Sequence, residues 1–349
     1  MSGLGRRARA LLAAAGLAAL AGSPLLLPGH ALAATPAPRP STVATQFEPD
    51  GHWAYLVNGH EQLFVGIGYN PIYRNQTLVQ RTSSYQRDFH IMCQAGVNTI
   101  TGWDQDKGFV QDTFDETTLN TANQYGIGVV MPFYLPPTGD YTDDNFVNAL
   151  IAAATSKVQR YKDNPALRMW GLGNEVLSDM ADQDMHWPFL QAYLKIADAM
   201  HAADPNHPVI YREAEDGWLP MISDALTQSG DMRPWLLYGM NEYEPDIQPF
   251  LDRWPSYQLD KPLIISEFGP DGVSPQDRAT GYADMWAAIR SYPDFVLGGA
   301  PYAWTTEGPE PTDKKWGLMD GSAHPVDRAF QLLAQLWKPE PLSNKANCG

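Results

Sequence analysis

Two glutamates each end a short apolar run, and this placement suits acid–base chemistry. Glu175 ends the segment Met169-Trp170-Gly171-Leu172-Gly173-Asn174-Glu175, and Glu267 ends the run that begins at Leu263. A continuous apolar run is expected for a strand that is buried on both faces of a parallel sheet. An acid at the carboxyl end of such a strand lies at the sheet edge, where catalytic groups are found. These glutamates are therefore the first candidates for a paired-carboxylate site.

Paired carboxylic acids can share the work of breaking a glycosidic bond. One acid protonates the departing oxygen, and the other attacks or stabilises the anomeric carbon. The donor must hold its proton, so burial should raise its pKa, whereas the second acid must be ionised and needs hydrogen bonds or a positive neighbour. This division of roles needs neither a metal nor a cofactor, and the sequence predicts none.

The two runs belong to an alternation of strand and helix patterns that fills most of the chain. The predicted strands are Leu63–Gly68, Val97–Ile100, Ile127–Met131, Leu167–Leu172, Val209–Tyr211, Leu236–Met240, Leu263–Ser266 and Leu297–Trp304. The predicted helices are Ser84–Ala95, Asp115–Tyr125, Asp143–Tyr161, Pro188–Ala203, Met221–Leu226, Ile247–Leu259, Gln276–Arg290 and Val326–Trp337. This order predicts an α/β fold, a (β/α)8 TIM barrel, with a doubly wound open sheet as the alternative. Trp53–Val57 followed by Asn58-Gly59 adds a short N-terminal β-hairpin.

In a barrel the residues that follow the strands form one face, and Glu175 and Glu267 would face each other there from strands four and seven. The other residues at this face are mostly aromatic, amide or acidic. Aromatic faces stack on sugar rings, while amides and acids bond their hydroxyls. The candidate substrate-binding residues are Asn174, Tyr243, Trp304, Asn241, Trp103 and Tyr69. An oligosaccharide or polysaccharide is the expected substrate.

Several segments resemble the barrel glycoside hydrolases of clan A, the retaining four-seven superfamily, and the resemblance covers nearly all of the chain after residue 46. Tyr161-Lys162-Asp163-Asn164-Pro165 leading to Glu175 is similar to the family 2 approach to the acid/base, and the barrel as a whole is of the family 2 or family 5 type. Phe64–Pro71, Ala95–Ile100 and Lys261–Gly269 fit the same group. The last strand and loop, from Gly299 through Trp316-Gly317-Leu318, also resemble fungal β-1,3-glucanosyltransferases.

The resemblance implies a role for each candidate residue. Glu175 would be the general acid/base and Glu267 the nucleophile, with retention of configuration through a glycosyl-enzyme intermediate. Asn174 would hold the sugar 2-hydroxyl, Tyr243 would bond Glu267, and Trp304 would form the floor under the cleaved sugar.

One departure from the family pattern lies after strand two. Many members carry an arginine there, near the nucleophile, but this chain reads Thr99-Ile100-Thr101-Gly102-Trp103. Arg212, after strand five, is a candidate substitute for the missing positive charge.

Other interpretations of the same residues remain open. Glu213, Glu215 and Glu242 also lie near predicted strand ends and are alternative acids. Trp170 is expected in the core, because it lies inside a strand. His186, His201 and His207 lack metal-ligand spacing and are expected at the surface or at helix caps. Gly66-Ile67-Gly68 lacks the third glycine of a dinucleotide-binding loop.

The first residues predict export. Three arginines precede an apolar Ala/Leu run and the small residues Ala31-Leu32-Ala33, which is the layout of a cleavable signal over residues 1–33. The pair Arg6-Arg7 also occurs in twin-arginine signals. We expect a disordered Pro/Ala-rich leader over 34–46, a catalytic domain over 47–340, a tail over 341–349 and no membrane anchor after cleavage.

Charge and cysteine content narrow the functional class. The net charge is −16, and it becomes −19 without the three signal arginines, which argues against nucleic acid or an anionic membrane as a partner. Cys93 lies in a helical pattern and Cys348 near the end of the sequence. We interpret Cys93 as a small core residue, although an exported chain can also form a disulfide.

The sequence therefore predicts an exported retaining hydrolase of a β-linked glycan. A transglycosylase, with acceptor subsites shaped by Trp218, Trp235 and Trp254, is one alternative. A catalytically weak carbohydrate-binding barrel is the other, because the strand-two arginine is absent.

Overall fold

The structure is a computed structural model that describes residues 39–103, 114–214, 216–337 and 348. Its strands in these residues are β1 (Val43–Phe47), β2 (Trp53–Val57), β3 (His60–Glu61), β4 (Phe64–Gly68), β5 (Thr99–Thr101), β6 (Gly128–Phe133), β7 (Leu167–Leu172), β8 (Val209–Ala214), β9 (Leu236–Glu242), β10 (Leu263–Phe268) and β11 (Val296–Pro301). Strands β4 to β11 form a closed parallel barrel, because β4 pairs with both β5 and β11. The predicted (β/α)8 barrel is confirmed, and the open sheet is excluded.

The helices follow the strands in the expected alternation. In the described residues they are α1 (Leu78–Ala95), α2 (Glu116–Gln124), α3 (Asp144–Tyr161), α4 (Val176–Asp179), α5 (His186–Ala203), α6 (Leu219–Ser229), α7 (Gln248–Arg253), α8 (Arg278–Arg290), α9 (Asp313–Trp316) and α10 (Ala329–Trp337). Helix α1 begins six residues before the predicted start at Ser84, because Thr77 and Gln80 form a capping box. This box satisfies backbone N–H groups that have no partner within the helix.

A three-stranded antiparallel sheet precedes the barrel, in the order β1-β2-β3. Asn58 and Gly59 join β2 to β3 with φ angles of 54° and 76°, the positive values that a type I′ turn requires. The predicted hairpin is therefore present, but its second strand is the short β3, and β4 is the first strand of the barrel.

The predicted leader over 34–46 is too long, because the fold begins before residue 47. Strand β1 starts at Val43, and the buried Ser41 is anchored by its hydroxyl, which donates to the Leu167 carbonyl at 2.5 Å. The same hydroxyl lies 2.9 Å from His207 Nε2, and His207 Nδ1 lies 2.7 Å from Asp204. These contacts bury His207, so its expected place at the surface is wrong.

The sheet covers the amino-terminal end of the barrel. Tyr55 of β2 is buried against Phe64, with ring centroids 6.1 Å apart, in a cluster that contains inward-facing side chains of the barrel strands. A second, larger cluster lies between the strands and the surrounding helices and includes Trp170, as predicted. Each large apolar side chain that is buried in this way contributes about 2 kcal/mol. The carboxyl end of the barrel is left for the functional site.

Cys93 and Cys348 form a disulfide, with Cα atoms 5.7 Å apart. The interpretation of Cys93 as a core thiol is therefore wrong, and the bond fixes part of the predicted tail 341–349 to helix α1. The predicted export signal lies outside the described residues. None of the helices in the described part of the chain is long and apolar enough to cross a membrane.

Candidate active site

Glu175 and Glu267 lie in one cavity of about 340 Å3. Glu267 is the fifth residue of β10, which is barrel strand seven, and Glu175 follows β7, which is barrel strand four. Parallel strands direct their carboxyl ends to the same end of a barrel, so the two acids meet there.

The backbone at Glu175 has an unusual conformation. Gly173 and Glu175 both have positive φ, at 69° and 51°, and Glu175 is the N-cap of α4. Its backbone N–H donates to the Arg212 carbonyl at 3.1 Å, which helps to hold this geometry. A left-handed conformation costs a residue other than glycine ~1 kcal/mol or more, and such conformations concentrate at functional sites.

Glu267 is held at both of its carboxyl oxygens and is only 4% exposed. Trp103 Nε1 donates to Oε1 at 2.5 Å, and the Tyr243 hydroxyl donates to Oε2 at 2.6 Å. Burial raises the pKa of Glu267 to about 8, and the charge of Glu175 acts in the same direction. Tyr243, Arg212 and Trp103 lower this pKa, because each stabilises the carboxylate.

Glu175 is oriented by the side chain of Asn241 on β9. Asn241 Nδ2 donates to Glu175 Oε1 at 2.7 Å and lies 3.3 Å from Asn174 Oδ1. The amide is itself fixed, because Ser266 Oγ donates to Asn241 Oδ1 at 2.7 Å. Asn241 is buried beside the cavity, so its role in the structure is to position Asn174 and Glu175, which follow barrel strand four.

Arg212 joins the backbones on which both glutamates depend. It is 2% exposed, and its Nε and Nη2 donate to the Gly173 carbonyl at 3.2 and 3.0 Å. Its Nη1 donates to the Gly102 carbonyl at 2.9 Å and to Thr101 Oγ1 at 3.2 Å. Gly102 precedes Trp103, so one guanidinium from strand five supports the edge of strand two, where the family arginine is absent.

Glu213 is buried behind the cavity and does not line it. Its carboxylate accepts from the backbone N–H of Leu177 at 3.0 Å, and from those of Ser178 and Ala214. Burial raises the pKa of Glu213 to about 8, although these hydrogen bonds oppose the effect. Glu213 therefore stabilises the start of α4. Of the other alternative acids, Glu242 does not line the cavity either, and Glu215 lies outside the described residues.

Aromatic side chains form much of the cavity wall. They are Trp103, Phe133, Tyr134, Tyr243, Tyr302 and Trp316. Tyr302 packs edge-on against Trp103 with ring centroids 5.1 Å apart, and its hydroxyl donates to Asp313 at 2.7 Å. Trp316 packs against Tyr243 at 4.9 Å.

The structure brings five of the eight predicted residues to the cavity wall, namely Glu175, Glu267, Asn174, Tyr243 and Trp103. It places Trp304 and Tyr69 in the core, where their rings lie 6.5 Å apart and Trp304 is 0% exposed. For Trp304 the cause is a register error, because β11 ends at Pro301 and not at Trp304. Tyr302 is the first residue after that strand and lines the cavity. The sequence did not predict Tyr302 as a site residue, because the strand was expected to continue to Trp304.

Similarity to known proteins fits this geometry. Residues 53–297 match the family described as glycosyl hydrolases family 2, TIM barrel domain. The chain belongs to glycosyl hydrolase family 2. The match includes both Glu175 and Glu267 and confirms the family 2 resemblance. Members of this family are glycosidases, which is the enzyme class that the sequence predicted. The matched segment ends before Tyr302, so the likeness of the last loop to fungal glucanosyltransferases stays a prediction.

Relatives of this family 2 chain include the beta-glucuronidase of Rattus norvegicus, which is 24% identical over 252 residues, or 64% of this chain and 37% of the relative. The chain thus spans well under two thirds of that relative. The beta-glucuronidase of Bacteroides uniformis has a TM-score of 0.64 at 14% identity, covering 85% of this chain and 37% of that one. The beta-galacturonidase of Eisenbergiella tayi bound to galacturonate has a TM-score of 0.62 at 16% identity, covering 85% of this chain and 54% of that one. These structures support the fold.

Proposed function

We propose that this chain is an exported retaining glycoside hydrolase that cleaves a β-linked glycan by double displacement. Glu175 is the general acid/base and Glu267 the nucleophile. The observation that carries the proposal is that Glu267 accepts a hydrogen bond on each oxygen, from Trp103 and Tyr243, in the same cavity as a second glutamate. Such donors favour the carboxylate over the carboxylic acid.

The proton of the pair belongs to Glu175 in this mechanism. Burial and mutual repulsion raise the pKa of Glu267 to about 8, so the two coupled acids hold one proton at neutral pH. The Tyr243 and Trp103 donors, together with the nearby Arg212 guanidinium, favour the arrangement in which Glu267 is the ionised partner. Glu175 then carries the proton that the leaving group needs.

The reaction has two steps. Glu267 attacks the anomeric carbon while Glu175 gives its proton to the departing oxygen, which leaves a glycosyl ester on Glu267. Glu175, now a carboxylate, takes a proton from water, and the water oxygen displaces Glu267 from the same carbon. Two inversions give net retention, and both glutamates return to their starting states.

The cavity walls supply contacts for the sugar. Asn174 is held beside Glu175 by Asn241, so its amide can bond the hydroxyl next to the anomeric carbon. Tyr302 replaces Trp304 as the proposed aromatic floor, because it lines the cavity and Trp304 does not. Stacking of a sugar ring on an aromatic face buries apolar C–H groups while the hydroxyls remain hydrogen-bonded.

A panel of aryl β-glycosides tests this proposal. Glu267→Gln should reduce kcat/KM by 10³-fold or more on the best aryl substrate, a loss of ~4 kcal/mol in transition-state stabilisation. Glu175→Gln should do so on an oligosaccharide, because its leaving oxygen needs a proton. Glu244→Gln, an exposed glutamate outside the cavity, is the matched control and should retain activity. Proton NMR of the first-formed product should show the β-anomer. Formation of the α-anomer first, or full activity in either glutamine variant, would contradict the mechanism.

Transglycosylation is the alternative fate of the glycosyl ester. The three tryptophans expected to shape acceptor subsites do not line the cavity in the described part of the chain. Trp235 stacks on His201 at 4.2 Å, Trp254 is buried, and Trp218 packs on His186 at 4.9 Å. We therefore favour hydrolysis, and analysis of products at high oligosaccharide concentration distinguishes the two outcomes.

Export, which residues 1–33 predict, is supported by the Cys93–Cys348 disulfide. Such bonds persist mainly in oxidising compartments outside the cytosol. Mass spectrometry of the protein recovered from the culture medium should give a mature chain that starts at Ala34. A full-length chain that stays in the cytosol with reduced cysteines would refute this part of the proposal.

A further inference from the structure

We propose that Glu213 is a positioning residue for the acid/base. Its carboxyl group holds the turn that carries Glu175, so that proton transfer to the leaving group depends on it. The inference rests on the proposed function and adds to it a residue that does not touch the substrate. Glu213 is 0% exposed and does not line the cavity, so it cannot give a proton to the substrate itself.

The turn at Glu175 needs support from outside. Gly173 and Glu175 have positive φ angles, and Glu175 is the N-cap of a helix of only four residues, Val176–Asp179. A helix of about one turn is not stable on its own, and a strained residue persists only where its surroundings fix it. Contacts with another part of the chain must therefore hold this turn in place.

Glu213 caps the short helix from the neighbouring strand. Its Oε2 accepts from the backbone N–H of Leu177 at 3.0 Å, and its Oε1 accepts from that of Ser178 at 3.4 Å. These are the second and third residues of the helix, whose N–H groups an N-cap side chain normally bonds. The cap thus reaches from barrel strand five to the residues that follow barrel strand four.

The backbone of strand five holds the other side of the turn. The Glu175 N–H donates to the carbonyl of Arg212, which directly precedes Glu213 in β8. The Ala214 N–H donates to Glu213 Oε1 at 3.0 Å and fixes the carboxyl group against its own strand. A shift of this carboxyl group would therefore move the start of α4, and with it the backbone from which the Glu175 side chain extends.

The cap does not depend on a charge on Glu213. Burial raises the pKa of Glu213 to about 8, so its carboxyl group carries a proton at neutral pH. The Tyr211 hydroxyl lies 3.2 Å from Oε2 and can accept that proton, because a hydroxyl both donates and accepts. The carboxyl oxygens still accept from the backbone N–H groups. At neutral pH the effect of Glu213 on Glu175 is therefore one of geometry.

The leaving-group dependence of kcat/KM is the test, because a general acid matters only where the departing oxygen needs a proton. The substrates are the phenyl and the 2,4-dinitrophenyl β-glycoside of one sugar, at fixed pH. Glu213→Leu removes both acceptor oxygens and should lower kcat/KM tenfold or more on the phenyl glycoside, but less than threefold on the dinitrophenyl glycoside. Misplacement by about 1 Å can have an effect of this size.

Two further variants make the comparison specific. Glu213→Gln keeps one acceptor oxygen and the size of the side chain, so it should lose about threefold on the phenyl glycoside and nothing on the other. This variant decides the test if the leucine variant does not fold. Asp88→Asn changes another acid that is 0% exposed and lies outside the cavity. It controls for lost stability and should affect both glycosides alike.

Glu175→Gln separates this inference from the proposed function. It should show the same difference between the two glycosides, and equal losses on both would overturn the acid/base role of Glu175 and the inference with it. If Glu175→Gln shows the difference but the Glu213 variants lower kcat/KM equally on both glycosides, or on neither, the proposed function stands and the inference is wrong.

Discussion

The Tyr243→Phe substitution isolates one hydrogen bond of the proposed nucleophile. It removes the hydroxyl that donates to Glu267 Oε2 at 2.6 Å, and the remaining ring can still pack against Trp316. The lost bond has a charged acceptor, so its contribution is about 1.5–3 kcal/mol. Because this donor lowers the pKa of Glu267, its removal should raise that pKa by about 1–2 units, at 1.36 kcal/mol per unit.

The pH profile of kcat/KM is the assay. Activity needs Glu267 ionised, so the acidic limb should move upwards by about 1–2 pH units, with a loss of about 10–100-fold on that limb. Activity should recover as the pH rises towards the new limb. Tyr257→Phe, which removes a hydroxyl that donates to Asp216 at 2.5 Å outside the cavity, should leave the profile unchanged. An unmoved acidic limb with less than a threefold loss would refute the role of Tyr243 on Glu267.

Three further predictions concern stability and the cavity wall. Burial raises the pKa of Glu213 to about 8, so the stability that protonated Glu213 contributes is complete below its unfolded pKa of 4.5 and is lost as the pH rises through 8. Urea titrations of the parent should therefore show an unfolding free energy that falls between pH 5 and 8 by up to ~1.4 kcal/mol per pH unit, and Glu213→Gln should make this fall smaller. Cys93→Ser should lower the free energy of unfolding by about 2–5 kcal/mol, and a reductant should lower the Tm of the parent protein to that of the variant. A parent Tm that does not change with reductant would contradict the disulfide. Tyr302→Ala should lower kcat/KM tenfold or more, whereas Trp304→Phe should reduce stability by ~1–3 kcal/mol with little change in KM. The reverse pattern would show that Trp304, and not Tyr302, lies under the sugar.

The barrel and the position of the proposed catalytic pair could be predicted from local signals. Acids at the ends of two buried apolar runs identified Glu175 and Glu267, because a barrel collects its strand ends at one face. Gly96, with φ at 95°, marks the end of α1, as glycine often does at a helix terminus. These signals involve residues close together in the chain, which is why a single sequence carries them.

Other features depend on contacts between distant segments. Ser41 looked like part of a disordered leader, because its bonds to Leu167 and His207 involve partners more than 120 residues away. The path of Arg212 across the barrel to Gly102 depends on the closed ring and on no local pattern. The error at Trp304 arose differently, because an apolar run that continues past a strand end conceals where the strand stops.

The hydrogen bonds of Asn241 also distinguish the two carboxyl oxygens of Glu175. Ser266 donates to the Asn241 carbonyl oxygen, and the amide presents its NH2 group to Glu175. Glu175 Oε1 is thus an acceptor, and in the proposed mechanism the mobile proton belongs to Oε2. In the proposed mechanism, a serine hydroxyl on the strand of Glu267 thus helps to select which oxygen of Glu175, on the opposite side of the barrel, delivers the proton.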